Sequence, residues 1–270
     1  MIRIQELNKK FNAGTLDEVI ALDHISLEVR EHEFLTVIGT NGSGKSTLLN
    51  AVAGNILPDS GTIEIDGEDV TRKQDYQRAK NISRVFQNPF SGTASDMTLA
   101  ENLLMAWLRG RPHYPKISLN RMGRDFFRKQ LASLEMNLED RLDNIMGTFS
   151  GGQRQAITLL MAVMQKPNVL LLDEHTAALD PKTASQVLKL TQKFVTESRL
   201  TTLLVTHSMK QALELGTRTL MMHHGQIIDD IPAAEKKHLT VEDLLNKFED
   251  IRKREKLTPE LIEQLKNQYA

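Results

Sequence analysis

The sequence contains no cysteine among its 270 residues. Disulfide bonds, thiol nucleophiles and thiolate metal sites are therefore excluded, and the composition is compatible with a reducing cytoplasm. An excess of one charge is also lacking, since 34 basic and 35 acidic side chains leave a net charge of −1. The chain therefore lacks the excess of positive charge that is typical of proteins that bind nucleic acid or an acidic membrane, and we expect no nucleic-acid partner.

Long apolar runs are missing as well. None approaches the roughly 20 residues of a membrane-spanning helix, and residues 1–6 alternate like a strand where a signal peptide has an apolar core. If the protein works at a membrane, it has to dock onto the helices of another protein. The hydrophobic content of 40% is that of an ordinary globular protein, and the length allows one large or two small domains.

One glycine-rich stretch, GTNGSGKS at residues 39–46, lies between a strand-like apolar run and a helical pattern that ends at Gly54. Glycines in this position let backbone N–H groups point inward around an anion, and the helix N-terminus adds partial positive charge. Lys45 can hold β and γ phosphates, and the Ser46 hydroxyl can ligate Mg²⁺. The alternative is a flexible turn with an exposed lysine. The candidate phosphate ligands are Gly39, Asn41, Gly42, Ser43, Gly44, Lys45, Ser46 and Thr47.

Period-two alternation predicts half-buried strands at residues 2–8 and 25–30, and further strands at 62–65 and 82–86. Phe11 follows the first of them. It has two interpretations, packing in the core or stacking of its aromatic face on a nucleobase.

Residues 90–165 contain no convincing strand, and we interpret them as a helical insertion between two halves of an α/β core. A capping box at Thr98 predicts a helix through Leu108, a second helical stretch covers about 120–136, and Trp107 is expected to pack. The block closes on Ser150-Gly151-Gly152-Gln153, either a second anion site at a helix start or merely a capped helix.

Two adjacent carboxylates, Asp173 and Glu174, follow the apolar run at 168–172, which is typical of a buried parallel strand. Ligands bind at the carboxyl ends of such strands. Asp173 can therefore hold Mg²⁺, and Glu174 can orient and deprotonate an attacking water.

Asp180-Pro181 predicts the start of a helix that reaches about Ser198. The next strand, 201–205, ends at His207, whose position favours a donor to a γ-phosphate. Residues 218–223 and 226–231 predict a hairpin.

Six motifs in this order resemble the nucleotide-binding subunit of an ABC transporter over residues 1–232. They are the Walker A loop at 39–46, Gln87 as the Q-loop, Ser150–Gln153 as the signature, Asp173-Glu174 as Walker B, Asp180 as the D-loop and His207 as the switch histidine.

The resemblance implies an α/β fold: a RecA-like P-loop NTPase core with an antiparallel β subdomain and a helical insertion. The expected ATP-binding domain spans 1–235, with a helical subdomain at about 89–165, and residues 236–270 form a short helical tail. Helices are predicted at 241–253 and 259–268, and the apolar spacing of Val241, Leu244, Leu245 and Phe248 predicts packing onto the core.

The resemblance also implies that two copies pair head to tail, with ATP between the Walker A loop of one and the signature of the other. Phe11 would stack on adenine, and Ser150, Gly151, Gly152 and Gln153 would face the partner's nucleotide. Gln87 would contact Mg²⁺, the attacking water and a transmembrane permease, and Asp180 would bridge the dimer. The subunit would lie at the cytoplasmic face of the membrane, bound peripherally through the permease.

Three positions depart from the family pattern: Phe149 replaces the usual Leu, His175 the usual Pro, and His32 the usual Gly. Phe149 is expected to be a packing variant. We hypothesise that His175 gives the ATPase activity an extra pH dependence between about pH 5 and 8.

The sequence carries no fused membrane domain, as in an importer subunit or a split exporter. Residues 92–98 and 173–176 resemble a bacterial branch that pairs with ribose-type permeases and with substrate-binding proteins for amino acids. A split exporter ATPase, a non-transport ABC ATPase and a small-molecule kinase remain the alternatives.

Overall fold

The computed structural model describes residues 1–110 and 121–254. The chain forms two compact units. The first contains Met1–Arg72 and the described residues from Leu203 onward, and the second contains Lys73–Thr202. The helix predicted at 259–268 lies outside the described residues, as does residue 120 at the start of the stretch predicted at 120–136.

The described residues contain the following strands and α-helices. The strands are β1 (Ile2–Phe11), β2 (Val19–Val29), β3 (Phe34–Gly39), β4 (Ser60–Ile65), β5 (Glu68–Asp69), β6 (Ile82–Val85), β7 (Val169–Asp173), β8 (Thr201–Val205), β9 (Arg218–His223) and β10 (Gln226–Ile231). The helices are α1 (Lys45–Ala53), α2 (Asp75–Arg78), α3 (Leu99–Leu108), α4 (Arg121–Ala132), α5 (Gly151–Val163), α6 (Pro181–Ser198), α7 (Met209–Glu214), α8 (Ala233–Lys236) and α9 (Val241–Arg254).

The first unit contains an antiparallel sheet with the order β2-β1-β4-β5. Ile2, Ile4 and Leu7 of its central strand β1 are buried, because alternate side chains of a strand point to the same face. Ile2 pairs with Val29 on one side and with Ile65 on the other. The strands predicted at 2–8 and 25–30 are present and extend further towards the β1–β2 turn.

The second sheet of this unit has the order β10-β9-β3-β8, and β8 begins two residues before the unit boundary. All six residues of β3 are buried, and β3 runs parallel to β9. The β9–β10 hairpin is confirmed. Its turn residues His224 and Gly225 have φ values of 44° and 79°, in the left-handed region that tight hairpin turns require.

The tail helix α9 packs on the first unit, which confirms the prediction from its apolar spacing. Leu244 and Phe248 are buried in a cluster with Ile38, Met209 and Met221. The preceding Lys236 is also buried, and its Nζ donates to the carbonyl oxygens of Leu215 and Gly216, just after α7 ends. Burial lowers the pKa of Lys236 to about 8, because desolvation disfavours the charged amine.

The second unit pairs β6 in parallel with β7, and every residue of α5 after Gln153 is buried. The described part of residues 90–165 contains helices and no named strand, as predicted. Thr98 caps α3 with the expected capping box. Trp107 packs with its ring centroid 4.8 Å from that of Phe126. None of the helices in the described ranges has the length and hydropathy that crossing a membrane requires.

Candidate active site

The glycine-rich loop joins β3 to α1 and folds around the side chain of Lys45. This side chain is 4% exposed, and its Nζ donates to the carbonyl oxygens of Gly39 and Thr40, at 2.8 Å each. Gly44 caps α1 without a side-chain hydrogen bond, so the helix start presents backbone N–H groups. A buried ammonium beside a helix N-terminus suits phosphate oxygens. A flexible turn with an exposed lysine is therefore excluded.

Gly44 is required by geometry. Its φ is 98°, and a Cβ at this position would lie 2.3 Å from the carbonyl oxygen of Ala21. The neighbouring Ser43 is buried and accepts a hydrogen bond from the Gly225 N–H at 3.1 Å. The β9–β10 turn and strand β2 therefore hold the loop.

His207 belongs to the same unit as the loop and follows β8 directly. The N–H of the preceding Thr206 donates to the carbonyl oxygen of Val37 in β3 at 3.2 Å. Because β3 ends two residues later at Gly39, His207 lies at the sheet edge where the phosphate loop begins. Ser208 caps α7, and its Oγ accepts from the Gln211 N–H. The role of His207 as a γ-phosphate donor stays a prediction.

Phe11 lies at the end of β1, paired with Val19. Its side chain is 36% exposed, and the Lys9 ammonium lies 5.7 Å from its ring centroid. The core-packing interpretation of Phe11 is therefore wrong. An aromatic face in this position can stack on a flat base.

The two carboxylates at the end of β7, Asp173 and Glu174, are each bound by a side chain from β6 or the residues just after it. The Arg84 guanidinium donates to Asp173 Oδ2 at 2.6 Å, and the Gln87 amide donates to Glu174 Oε2 at 3.1 Å. Gln87, Asp173 and Glu174 therefore lie together at one end of the β6–β7 pair. Glu174 has a φ of 44°, which is unusual for a residue with a Cβ.

Ser150 caps α5 with the predicted capping box: its Oγ accepts from the Gln153 N–H, and the Gln153 amide oxygen accepts from the Ser150 N–H. The glycines that follow differ in their surroundings. A Cβ on Gly152 would lie 2.0 Å from Thr183 Cγ2 of α6, whereas a Cβ on Gly151 would meet no atom closer than 3.7 Å. Packing therefore requires Gly152, while a Cβ on Gly151 would make only ordinary van der Waals contacts.

The segment that surrounds Gln87 is hydrogen-bonded to side chains of α5. Arg154 is 2% exposed, and its guanidinium donates to Thr93 Oγ1 at 2.6 Å and to Ser95 Oγ at 3.1 Å. Gln155 donates to the Phe86 carbonyl oxygen at 3.0 Å. Signature and Q-loop are thus connected through the first turns of one helix.

His175 is 1% exposed, and its Nε2 lies 2.9 Å from Thr191 Oγ1 in α6. The Thr191 hydroxyl donates to the Val187 carbonyl oxygen, so it accepts from His175, whose neutral ring carries the proton on Nε2. Burial lowers the pKa of His175 to about 4. The hypothesis of a titration between pH 5 and 8 is therefore wrong, because desolvation keeps this ring neutral there.

Asp180 caps α6, with its Oδ1 accepting from the Thr183 N–H at 3.1 Å, as the Asp-Pro pattern predicts. Hydrogen bonds from Thr183 hold the pKa of this exposed carboxyl below its usual range. Phe149 is buried under the Arg141 guanidinium, which lies 4.2 Å from its ring centroid, and is the packing variant expected. His32 has a φ of 62°, a conformation for which glycine is the usual residue.

Sequence reasoning missed the contacts that Arg84 and Arg154 make. For Arg84, the available signal was its position within the short strand β6, because alternation places its side chain on the same face as the residues two positions away. A cavity of about 710 Å³ in the first unit also has charged lining residues, among them Arg30 and Arg218. It lies at the start of β3, whereas the phosphate loop follows the end of that strand.

Each unit has oxygen ligands of the kind that Mg²⁺ prefers: a hydroxyl at Ser46 in the first unit, and an amide oxygen at Gln87 and a carboxylate at Asp173 in the second. Within residues 1–110 and 121–254, no three His, Asp or Glu side chains converge as a metal site.

A family model described as ABC transporter matches residues 22–177. The tyrosine transport ATP-binding protein of Clostridioides difficile (strain R20291) is 42% identical over 249 residues, which cover 92% of this chain and 99% of that protein. The probable amino-acid import ATP-binding protein YxeO of Bacillus subtilis (strain 168) is 34% identical over 238 residues, covering 85% of this chain and 88% of that protein.

Solved structures agree with these relatives. An ATP-binding cassette solved as a dimer in a post-hydrolysis state with ADP and Pi superposes with a TM-score of 0.73 at 27% identity, covering 86% of this chain and 99% of that chain. An ABC transporter cassette in its ADP conformation gives 0.75 at 26% identity and covers 92% and 98%.

The chain belongs to the ABC transporter family. It is an ATP-binding subunit with the P-loop NTPase fold of that family, and its reaction is ATP hydrolysis.

Proposed function

We propose that this subunit drives uptake of a small solute such as an amino acid, and that its ATP site is completed by a second copy. The observation that carries the proposal is the match along nearly the whole chain to a protein named for tyrosine transport. The import ATP-binding proteins among the other relatives support the direction. The ATP-binding domain is 1–235, with a helical subdomain at about 89–165.

The nucleotide is held from one side by residues of the first unit. Phe11 stacks on the adenine, and its exposed ring supports this role. Backbone N–H groups from Gly39 to Thr47 bind the phosphates. On nucleotide entry, the Lys45 ammonium exchanges the carbonyl oxygens of Gly39 and Thr40 for phosphate oxygens.

Hydrolysis is carried out by Glu174, Gln87 and His207. Glu174 accepts the proton of the attacking water, and Gln87, which already donates to this carboxylate, orients that water. His207 donates to the γ-phosphate. Ser46, Gln87 and Asp173 are the residues that would hold Mg²⁺, which when bound offsets the charge developing on the phosphate oxygens.

The signature acts on the nucleotide of the other copy. Ser150 is exposed at the N-terminus of α5, and the N–H groups of Gly151 and Gly152 lie in the first turn of the helix, where no carbonyl of the preceding turn accepts from them, while the Gln153 N–H donates to Ser150 Oγ. In the head-to-tail dimer these groups bind the partner's γ-phosphate, and Asp180 lies at the interface. Loss of the γ-phosphate then removes the charge that joins the copies.

A transmembrane permease is the second partner, and it holds the subunit at the cytoplasmic face of the membrane. The contact is the segment that follows Gln87, with the exposed Phe90 ring lying over the Arg154 guanidinium. The permease is of the ribose type, and a substrate-binding protein delivers the solute. Both assignments rest on the residue patterns at 92–98 and 173–176.

Uptake measurements test the direction and the solute class. The subunit would be co-expressed with a ribose-type permease and a substrate-binding protein of the kind proposed, and uptake of radiolabelled tyrosine and other amino acids would be measured in whole cells. We expect accumulation that Lys45→Ala abolishes. ATP-dependent extrusion of a preloaded compound, without accumulation, would favour a split exporter.

A further inference from the structure

An ion pair joins the neighbouring strands of the second unit at the end where the site carboxylates lie. Arg84 pairs in register with Leu171 of β7, so Asp173, two residues further on, faces the same side of the sheet. The arginine side chain is long enough to reach along the strand to this carboxylate. Its Nη2 lies 2.6 Å from Asp173 Oδ2.

The surroundings keep this pair in place. The Arg84 and Asp173 side chains are only 14% and 15% exposed. The guanidinium also lies 4.9 Å from the ring centroid of Phe86, two residues along the same strand face. The carbonyl of Phe86 is in turn held by Gln155. A guanidinium that stacks on an aromatic ring and is largely removed from water is screened by salt less than a guanidinium at the surface.

We propose that Arg84 is the resident counter-ion of Asp173 and sets the order in which the site is filled. This inference rests on the assignment of Asp173 as the Mg²⁺-holding carboxylate. Because Arg84 donates to Oδ2, the guanidinium compensates the charge of Asp173 and occupies one of its two carboxylate oxygens. A divalent cation that binds Asp173 is therefore repelled by a neighbouring positive charge. The cation then enters with the nucleotide, whose phosphates supply the attraction that the neutralised carboxylate lacks.

The charge arithmetic fixes the direction of the effect. A +1 guanidinium bonded to the carboxylate that would hold a +2 ion repels that ion, and even in a water-like dielectric with salt the effect is about five- to tenfold in affinity. Removing the arginine charge should therefore tighten divalent-cation binding. A purely positioning role would weaken it, because the carboxylate would lose its fixed orientation.

Mn²⁺ binding, followed by the electron paramagnetic resonance signal of the free ion, tests the proposal in the full-length protein. Titrations would be made with and without a non-hydrolysable ATP analogue. For Arg84→Met we expect the dissociation constant of Mn²⁺ to fall about five- to tenfold with the analogue. Weak Mn²⁺ binding should also become measurable without nucleotide.

Arg84→Lys is the matched control, since it keeps the charge and should leave Mn²⁺ affinity within about twofold of wild type. Arg84→Gln serves if the methionine variant does not fold, with far-UV circular dichroism as the check. An unchanged or weaker affinity in the neutral variants overturns the inference. If wild-type protein binds the analogue but Asp173→Asn binds Mn²⁺ equally well, the assignment of Asp173 itself fails.

Discussion

Replacing the buried imidazole of His175 by a side chain that does not titrate should remove a specific loss of stability in acid. The ring has a pKa of about 4 in the folded chain against 6.5 for the unperturbed group. The unfolded chain therefore takes up the proton first as the pH falls. The contribution of His175 to the free energy of unfolding is therefore fully present above about pH 7 and is lost as the pH falls from 6.5 to 4.

The magnitude follows from the two pKa values. Each pKa unit corresponds to about 1.4 kcal/mol, so the proton linkage of His175 costs about 2 kcal/mol between pH 7 and pH 5 and about 3 kcal/mol by pH 4. His175→Gln is the suitable perturbation, because its amide does not titrate and can still donate to Thr191.

Urea unfolding measured at pH 5, 6 and 7 provides the assay. Trp107, the only tryptophan, lies in the same unit as His175 and reports that unit by its fluorescence. The wild-type free energy of unfolding should decrease by about 2 kcal/mol more than that of His175→Gln. His238→Gln, at an exposed histidine, is the control. Parallel curves for wild type and His175→Gln would show that burial of this ring does not couple folding to protonation. The ATPase pH profiles of the two proteins should agree in shape between pH 6 and 8.

Three further perturbations have defined outcomes. Gly152→Ala should lower the melting temperature by several degrees, because the added Cβ would lie 2.0 Å from Thr183 Cγ2, whereas Gly151→Ala should not. Adding Thr183→Ala to Gly152→Ala should restore the melting temperature. In urea titrations, the free energy of unfolding of the wild type should rise between about pH 8 and pH 10.5 relative to that of Lys236→Met, because burial lowers the pKa of the Lys236 amine. Phe11→Ala should weaken binding of a fluorescent ATP analogue about tenfold, while Phe11→Tyr should not.

Each of these predictions has a contradicting result. Equal melting temperatures for the two alanine variants would show that α5 can shift away from α6. A Lys236→Met variant with the wild-type pH profile would show that the amine is hydrated. Unchanged nucleotide affinity in Phe11→Ala would remove this ring from the adenine site.

Local signals account for what the sequence could predict. The phosphate loop, the Ser150 capping box and the Asp180 cap depend on residues within a few positions of one another, so their spacing is sufficient. The apolar spacing of α9 likewise identified its buried face. These elements and the buried strands appear in the structure close to their predicted bounds.

The contacts that escaped prediction join distant parts of the chain. Arg84 and Asp173 are 89 positions apart, and only the β6–β7 register brings them together. The burial of His175 depends on α6, and its pKa follows from that burial and not from its neighbours in sequence. The helical block inferred at 90–165 is part of a larger unit, Lys73–Thr202, because α5 and α6 pack against each other.

If two copies complete each ATP site, Glu174→Gln should trap the ATP-bound dimer. This variant should bind ATP without hydrolysing it, and light scattering coupled to size exclusion should show a dimer of about twice the chain mass of 30.5 kDa only when ATP is present. Adding Lys45→Ala, or replacing Ser150 by a bulky residue, should return the protein to a monomer. A Glu174→Gln protein that stays monomeric with ATP bound would contradict the account.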